Sequence, residues 1–311
     1  SQQYDEVHVG LFSGGDRHGC ATADVNGDGL TDLYTTKGAC RGRCQSDNEL
    51  WLQQRDGSFV DDAAAYGVTD PYGRGRDPVF LDANGDHWPD LFVVNDVGVD
   101  HPSPNRLFLG GPSGFTATTG PPNEEIGGWC VDAADYDDDG DDDLIVCSLL
   151  RGTIVYENQD GVFIDANSAT GIETWGRREL EFVDLDGDGH LDLMSTTETS
   201  FQVRFQRDGT YGTADVHVPL TDGRSAAAGD ADGDGDLDVY VVQGSNPTVS
   251  DRVLLNDGTG AFEVMLAPDD TDVGDGMSVE TIPGFLGDRA AFLISNGWGN
   301  TQGPRQLVVV P

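Results

Sequence analysis

Residues 184–192 read DLDGDGHLD, with aspartates at the first, third, fifth and ninth positions and glycines at the fourth and sixth. The same nonapeptide returns as DVNGDGLTD (24–32), DANGDHWPD (82–90), DYDDDGDDD (135–143) and DADGDGDLD (230–238). One such stretch in an acidic chain reads as a solvated turn, whereas five in phase read as a structural period. Their starts lie 58, 53, 49 and 46 residues apart, the length of a four-stranded propeller blade.

The neighbours of each copy repeat as well. A glycine-led strand precedes the nonapeptide, and an apolar strand follows it, such as LFVVN (91–95), LIVCS (144–148) or VYVVQ (239–243). A third strand comes next, as in ELWL (49–52), RLFLG (106–110) and RVLLN (252–256). A glycine turn then leads into an aromatic outer strand: GSFVD (57–61), SGFTA (113–117), GVFID (161–165), GTYGT (209–213) and GAFEV (260–264). Strands A to D are visible with no helical period.

A sixth unit, GMSVETIPGFLGDRAAFLISNG (276–297), aligns with GRSAAAGDADGDGDLDVYVVQG (223–244). Pro283, Phe285, Gly287 and Ala291 stand where Asp230, Asp232, Asp234 and Asp238 are, so this unit keeps its strands and loses its acids. It ends one strand short at RQLVVVP (305–311), while YDEVHVGLF (4–12) supplies a strand before the first unit. The expected fold is an all-β, six-bladed β-propeller closed by the N-terminal strand, with seven blades as the alternative. It forms one domain over 1–311, with blades near 13–66, 67–118, 119–168, 169–217, 218–266, and 267–311 plus 1–12.

A formal charge of −39 opposes compaction unless cations offset it. One lysine, Lys37, and sixteen arginines argue against nucleic acid and anionic membranes as partners. No apolar run nears the roughly 20 residues of a membrane span, and SQQYDEVHV at the start carries no secretion-signal pattern. Of five cysteines, Cys40 and Cys44 share a loop, Cys130 and Cys147 flank an aspartate loop, and Cys20 stands alone. One or two disulfides in an oxidising compartment are expected, with the pairing open.

Oxygen donors at positions one, three, five and nine, a carbonyl at seven and glycine at six resemble the calcium loops of EF-hands. Calcium, a hard cation wanting six to eight oxygens, is preferred to magnesium. The side-chain ligands are then Asp24, Asn26, Asp28 and Asp32; Asp82, Asn84, Asp86 and Asp90; Asp135, Asp137, Asp139 and Asp143; Asp184, Asp186, Asp188 and Asp192; and Asp230, Asp232, Asp234 and Asp238. Backbone carbonyls come from Leu30, Trp88, Asp141, His190 and Asp236. Five Ca²⁺ ions would bring −39 to −29. The second loop, with Asn84, His87 in place of the turn glycine, and Pro89, is expected to bind most weakly.

The pattern DxDxDGxxD between strands resembles the FG-GAP/VCBS repeats of integrin α-subunit propellers over nearly the whole chain. The stretch LWLQQRDGSFVDDAAAYGVTDPYGRGRDPVFLDANGD (50–86) resembles the cartilage acidic protein family and its ASPIC/UnbV-associated bacterial relatives. The resemblance implies a secreted or cell-surface adhesion or matrix-interaction module, monomeric as a domain. It also implies structural calcium in the hairpins and a protein or glycan ligand on the opposite face. That face would carry the loops 37–48, 95–105 and 243–251. Six residues before the start of each aspartate nonapeptide stand His18, Arg76, Trp129, Arg178, Arg224 and, at the matching position of the sixth unit, Met277. These are expected to ring the channel mouth and to make it locally basic, suited to an anionic or sugar-like group. The alternative pairs the arginines with acids such as Glu179 and Glu181. No HExxH, GxSxG or Cys/His constellation is present, and an Asp100–His101 pair reads as loop polarity. No enzyme is expected, the alternative being a polysaccharide- or phosphoester-cleaving propeller.

Overall fold

The computed structural model describes residues 17–38, 40, 43–97, 103–121, 127–148, 150–172, 178–244, 249–267, 276–286, 289–296 and 306–308. Backbone alone is described at 276–277, 283–286, 295–296 and 306–307. The strand expected at 4–12, Asp100, His101 and the side chain of Met277 lie outside the described residues.

The alternating runs fold as antiparallel meanders. The first sheet is β1 (Arg17–Ala23), β2 (Asp32–Lys37), β3 (Glu49–Gln53) and β4 (Phe59–Asp61). The second is β5 (Gly75–Leu81), β6 (Asp90–Asn95), β7 (Arg106–Leu109) and β8 (Thr116–Thr118), and the third β9 (Gly128–Ala134), β10 (Asp143–Ser148), β11 (Gly152–Gln159) and β12 (Val162–Asp165). The fourth joins β13 (Glu179–Val183), β14 (Asp192–Thr196), β15 (Ser200–Arg204) and β18 (Val216–Pro219). The fifth is β19 (Gly223–Gly229), β20 (Asp238–Gln243), β21 (Arg252–Asn256) and β22 (Phe262–Leu266). The sixth has three described strands, β23 (Gly276–Leu286), β24 (Arg289–Asn296) and β25 (Gln306–Val308). Single-turn helices α1 (Ala63–Tyr66) and α2 (Asn167–Thr170) follow the first and third sheets.

In the second, third and fifth sheets the second strand is a continuous apolar run rather than an alternation because both of its faces are covered. In β6, Leu91 and Val93 pack toward Tyr34 and Leu50 of the first sheet. Phe92 and Val94 pack toward Val131 and Val146 of the third. β20 does the same, with Val239 and Val241 facing Met194 and Val203, and Tyr240 and Val242 facing Phe292 and Ile294. The core is thus divided into layers, one between each pair of neighbouring sheets, and period-two alternation deals residues to the two sides.

The outer strand of the fourth sheet departs from expectation. GTYGT (209–213) does not form it; Thr210–Tyr211 is β17, paired with β16 (Gln206–Arg207) in a separate two-stranded ribbon, and β15 pairs with β18. In that ribbon Tyr211 is buried among Tyr136, Phe182 and Leu193, and its hydroxyl donates to Leu191 O at 2.7 Å.

Two disulfides form, Cys40–Cys44 and Cys130–Cys147, and Cys20 is free. Cys130 and Cys147 face each other directly across β9 and β10. No helix among the described residues is long and apolar enough to cross a membrane.

Candidate metal loops and the central cavity

Each nonapeptide is the hairpin between the first two strands of its sheet, and its side chains fold it locally before any cation is considered. The first aspartate accepts from the N–H of the sixth residue: Gly29 to Asp24 Oδ2 (2.8 Å), His87 to Asp82 Oδ2 (2.8 Å), Gly140 to Asp135 Oδ2 (3.0 Å), Gly189 to Asp184 Oδ2 (3.0 Å) and Gly235 to Asp230 Oδ2 (3.1 Å). The fifth accepts from the seventh, as Leu30 to Asp28, Trp88 to Asp86, Asp141 to Asp139, His190 to Asp188 and Asp236 to Asp234. This wrapping needs a left-handed backbone at position six. Glycine supplies it in four loops, while His87 is held at φ 70° in the second.

The ninth aspartate, fully buried in all five loops, reaches further. One oxygen accepts from the second loop residue: Val25 to Asp32, Ala83 to Asp90, Tyr136 to Asp143, Leu185 to Asp192 and Ala231 to Asp238. The other accepts from a residue at or just past the end of the third strand: Gln53, Gly110, Asn158, Gln206 and Asn256 in turn. Burial pushes these carboxyls up, to about 6 at Asp90 and Asp192 and about 7 at Asp143, with neighbouring loop acids adding to the rise.

Carboxylate oxygens come within 4.8 Å of one another in three loops: Asp135, Asp137 and Asp143; Asp184, Asp186 and Asp192; Asp230, Asp232 and Asp234. In the third loop Asp137 Oδ1 is buried with no hydrogen-bond partner. All-oxygen donor sets of this kind, with an orphaned acceptor pointing inward, fit a hard divalent cation. Asn26 and Asn84 make the first two loops poorer in charge, and in the second His87 Nδ1 stands 3.3 Å from Asp82 Oδ2, where it competes for the same acid. In the sixth sheet β23 runs on through Pro283 and Phe285 to a hairpin pairing Leu286 with Arg289, and Ala291 is buried in β24.

First strands of all six sheets line one cavity of about 570 Å³, and His18, Arg76, Trp129, Arg178 and Arg224 all belong to its wall. The arginines do not make its mouth basic. Arg76 lies 4.4 Å over Trp129, pairs with Asp96 at 2.6 Å and donates to His18 Nδ1 at 3.1 Å. Arg178 pairs with Glu198 at 2.6 Å and Arg224 with Asp222 at 2.8 Å. Their partners are therefore acids of the rim, not Glu179 or Glu181. Those two line the cavity with Asp77, Asp132 and Glu280. Three of these acids tie neighbouring sheets together: Asp77 accepts from Val131 N–H, Asp132 from Phe182 N–H and Glu179 from Ala226 N–H. Burial pushes Asp77 up to about 7, and Glu179 and Glu181 up to about 8. Counting five and three residues back from each loop, instead of six alone, would have found this acidic lining.

Successive four-stranded antiparallel sheets, each opening on an aspartate hairpin and sharing one axial cavity, define a β-propeller of the aspartate-loop class. The FG-GAP-like repeat matches residues 24–93, 82–146, 135–195 and 184–241, and the chain belongs to that family. Cartilage acidic protein 1 of Mus musculus is 32% identical over 162 residues, covering 47% of this chain and 24% of the relative. Cartilage acidic protein 1 of Homo sapiens is 28% identical over 210 residues, covering 61% and 29%. The matches thus span under a third of either relative. Among solved structures, BBS1N in complex with ARL6DN superposes with a TM-score of 0.55 at 12% identity, covering 90% of this chain and 75% of that one. A protein from Lactobacillus plantarum superposes at 0.54 and 15%, covering 95% and 85%. At these identities the likeness speaks for the fold alone.

Proposed function

We propose that this chain is an extracellular calcium-binding recognition module: its five aspartate hairpins take calcium for structure, and a protein or glycan partner docks on the opposite face. The observation that carries the reading is the ninth aspartate, which in all five loops joins the hairpin to the third strand, together with the carboxylate oxygens that gather in the third, fourth and fifth loops. Calcium, when bound, supplies the positive charge that lets these acids stand together. Location outside the cell is supported by two disulfides and by relatives whose name ties an acidic protein to cartilage. A binder is favoured over an enzyme because the loop acids are committed to the hairpins and the arginines of the mouth to rim carboxylates.

Titrating chelator-stripped protein with calcium should take up about five ions and raise Tm, the outcome expected when a cation binds only the folded state. Identical melting curves and circular dichroism in excess chelator and in millimolar calcium would sink the reading. For the partner, calcium-dependent capture on glycan and matrix-protein arrays is expected. Arg76→Ala with Arg224→Ala should weaken it, and unchanged capture would move the contact away from the cavity mouth. Turnover of a polysaccharide or phosphoester would establish the enzyme alternative instead.

A further inference from the structure

We propose that Asn158, Gln206 and Asn256 join the second to fifth aspartate loops into one cooperative cation-binding unit from which the first loop is excluded; this rests on the calcium reading above. Each of the three is buried, and each gives its main-chain N–H to the ninth aspartate of its own loop. The side-chain amide then reaches across the sheet boundary to the second residue of the preceding loop. Asn158 Nδ2 donates to Ala83 O (3.1 Å), Gln206 Nε2 to Tyr136 O (2.6 Å) and Asn256 Nδ2 to Leu185 O (2.6 Å). The same nitrogens contact the eighth residue of their own loops, at Asp142 O, Leu191 O and Leu237 O.

The residue gripped in this way is the one whose N–H rests on its own ninth aspartate. The chain of contacts therefore runs unbroken: Asp90, Ala83, Asn158, Asp143, Tyr136, Gln206, Asp192, Leu185, Asn256, Asp238. A loop has two arrangements, acids drawn together around a cation or pushed apart by their charge. Because each amide holds carbonyls of two loops, closing one loop sets the backbone of the next. That is the bistable element coupling between sites requires.

The chain of contacts stops at the first boundary. Gly110 makes the same N–H contact to Asp90 Oδ1, at 2.6 Å, but has no side chain, and a Cβ there would lie 2.1 Å from Pro89 O. Between the first and second loops Trp88 packs over Gly27 instead, a contact without a hydrogen bond to any ninth aspartate.

The test compares Asp188→Asn and Asp28→Asn in the full chain, by calcium titration in competition with a chromophoric chelator. Both residues are exposed, and asparagine keeps the acceptor that each turn uses. Asp188→Asn should weaken the second, third and fifth sites about fivefold or more, the low end of ordinary coupling between sites, and leave the first unchanged. Asp28→Asn should lose its own ion and leave the other constants unchanged. In a Gln206→Met background the effect of Asp188→Asn on the third loop should vanish. Equal behaviour of Asp188→Asn and Asp28→Asn overturns the coupling even if Gln206→Met fails to fold. A wild-type chain that takes up no calcium overturns the calcium reading itself, and the coupling with it.

Discussion

Asp192 and Asp188 belong to the same loop and face opposite demands. Asp192 is buried and holds two backbone N–H groups, Leu185 and Gln206, whereas Asp188 is exposed and holds one, His190. Replacing Asp192 with alanine leaves two buried donors unpaired, each costing about 1–3 kcal/mol. Asp192→Ala should therefore lower stability by about 3 kcal/mol even in chelator, seen as a fall in urea midpoint at unchanged slope. Asp188→Ala should change little in chelator and lose stability only relative to calcium-loaded protein. If the two variants behave alike in chelator, the ninth position has no structural role of its own. His87 allows the reverse experiment. Its left-handed backbone at φ 70° costs a non-glycine residue about 1 kcal/mol or more, so His87→Gly should raise Tm and strengthen calcium binding at the second loop. This strain was legible in the sequence, because a histidine stood where four sister loops have glycine.

Among the elements, those set by local pattern were legible and those set by contacts between sheets were not. LFVVN and VYVVQ announce strands covered on both faces, and β6 and β20 are buried along their length. GTYGT looks like its four sister segments, yet Thr210–Tyr211 pairs with Gln206–Arg207 in a ribbon of its own and the outer strand is Val216–Pro219, a displacement that a single repeat does not announce. The arginine pairs were legible in part: Asp222 lies two residues from Arg224, whereas Asp96 and Glu198 lie 20 residues from Arg76 and Arg178 and reach them only through the turns between strands. Cys130 and Cys147 were suggestive because they flank the third loop, and the register of β9 on β10 places them opposite one another. The bridge closes a segment of 17 residues. In the chain-entropy account, releasing a loop of that size costs about 3 kcal/mol. Cys130→Ala with Cys147→Ala should lose about that much by urea denaturation, and reduction of wild-type protein, which also opens Cys40–Cys44, should lose at least as much. A loss confined to the calcium-loaded state would mean that the bridge acts on the loop rather than on the unfolded chain.

For the whole molecule the governing quantity is the charge of −39, and two of the places where acids are concentrated are the hairpin loops and the cavity wall. On the calcium reading a cation relieves the first, while among the described residues the second is lined by no cation but the rim-paired arginines and His18. Its acids face one another from different sheets: Asp77 on β5, Asp132 on β9, Glu179 and Glu181 on β13, and Glu280 on β23, with the Cys20 thiol, raised by burial, on β1. Burial holds the carboxyls of Glu179 and Glu181 near 8, against an ordinary value of about 4.3 in the unfolded chain. Between those values the folded protein keeps protons that the unfolded chain releases, so stability falls as pH rises through the window and levels off above about 8. On the calcium reading, saturating calcium would keep the loop acids ionised throughout, which isolates the cavity. The Tm of calcium-loaded protein should then decline from pH 5 to pH 8. Glu181→Gln, which removes one of these protons while keeping the shape, should show a shallower decline and melt higher than wild type at pH 8, with no advantage at pH 5. A wild-type profile flat over that range, or a Glu181→Gln profile parallel to it, would mean that the cavity acids are solvated and ionised as on any surface, and that the acidic lining costs the fold nothing.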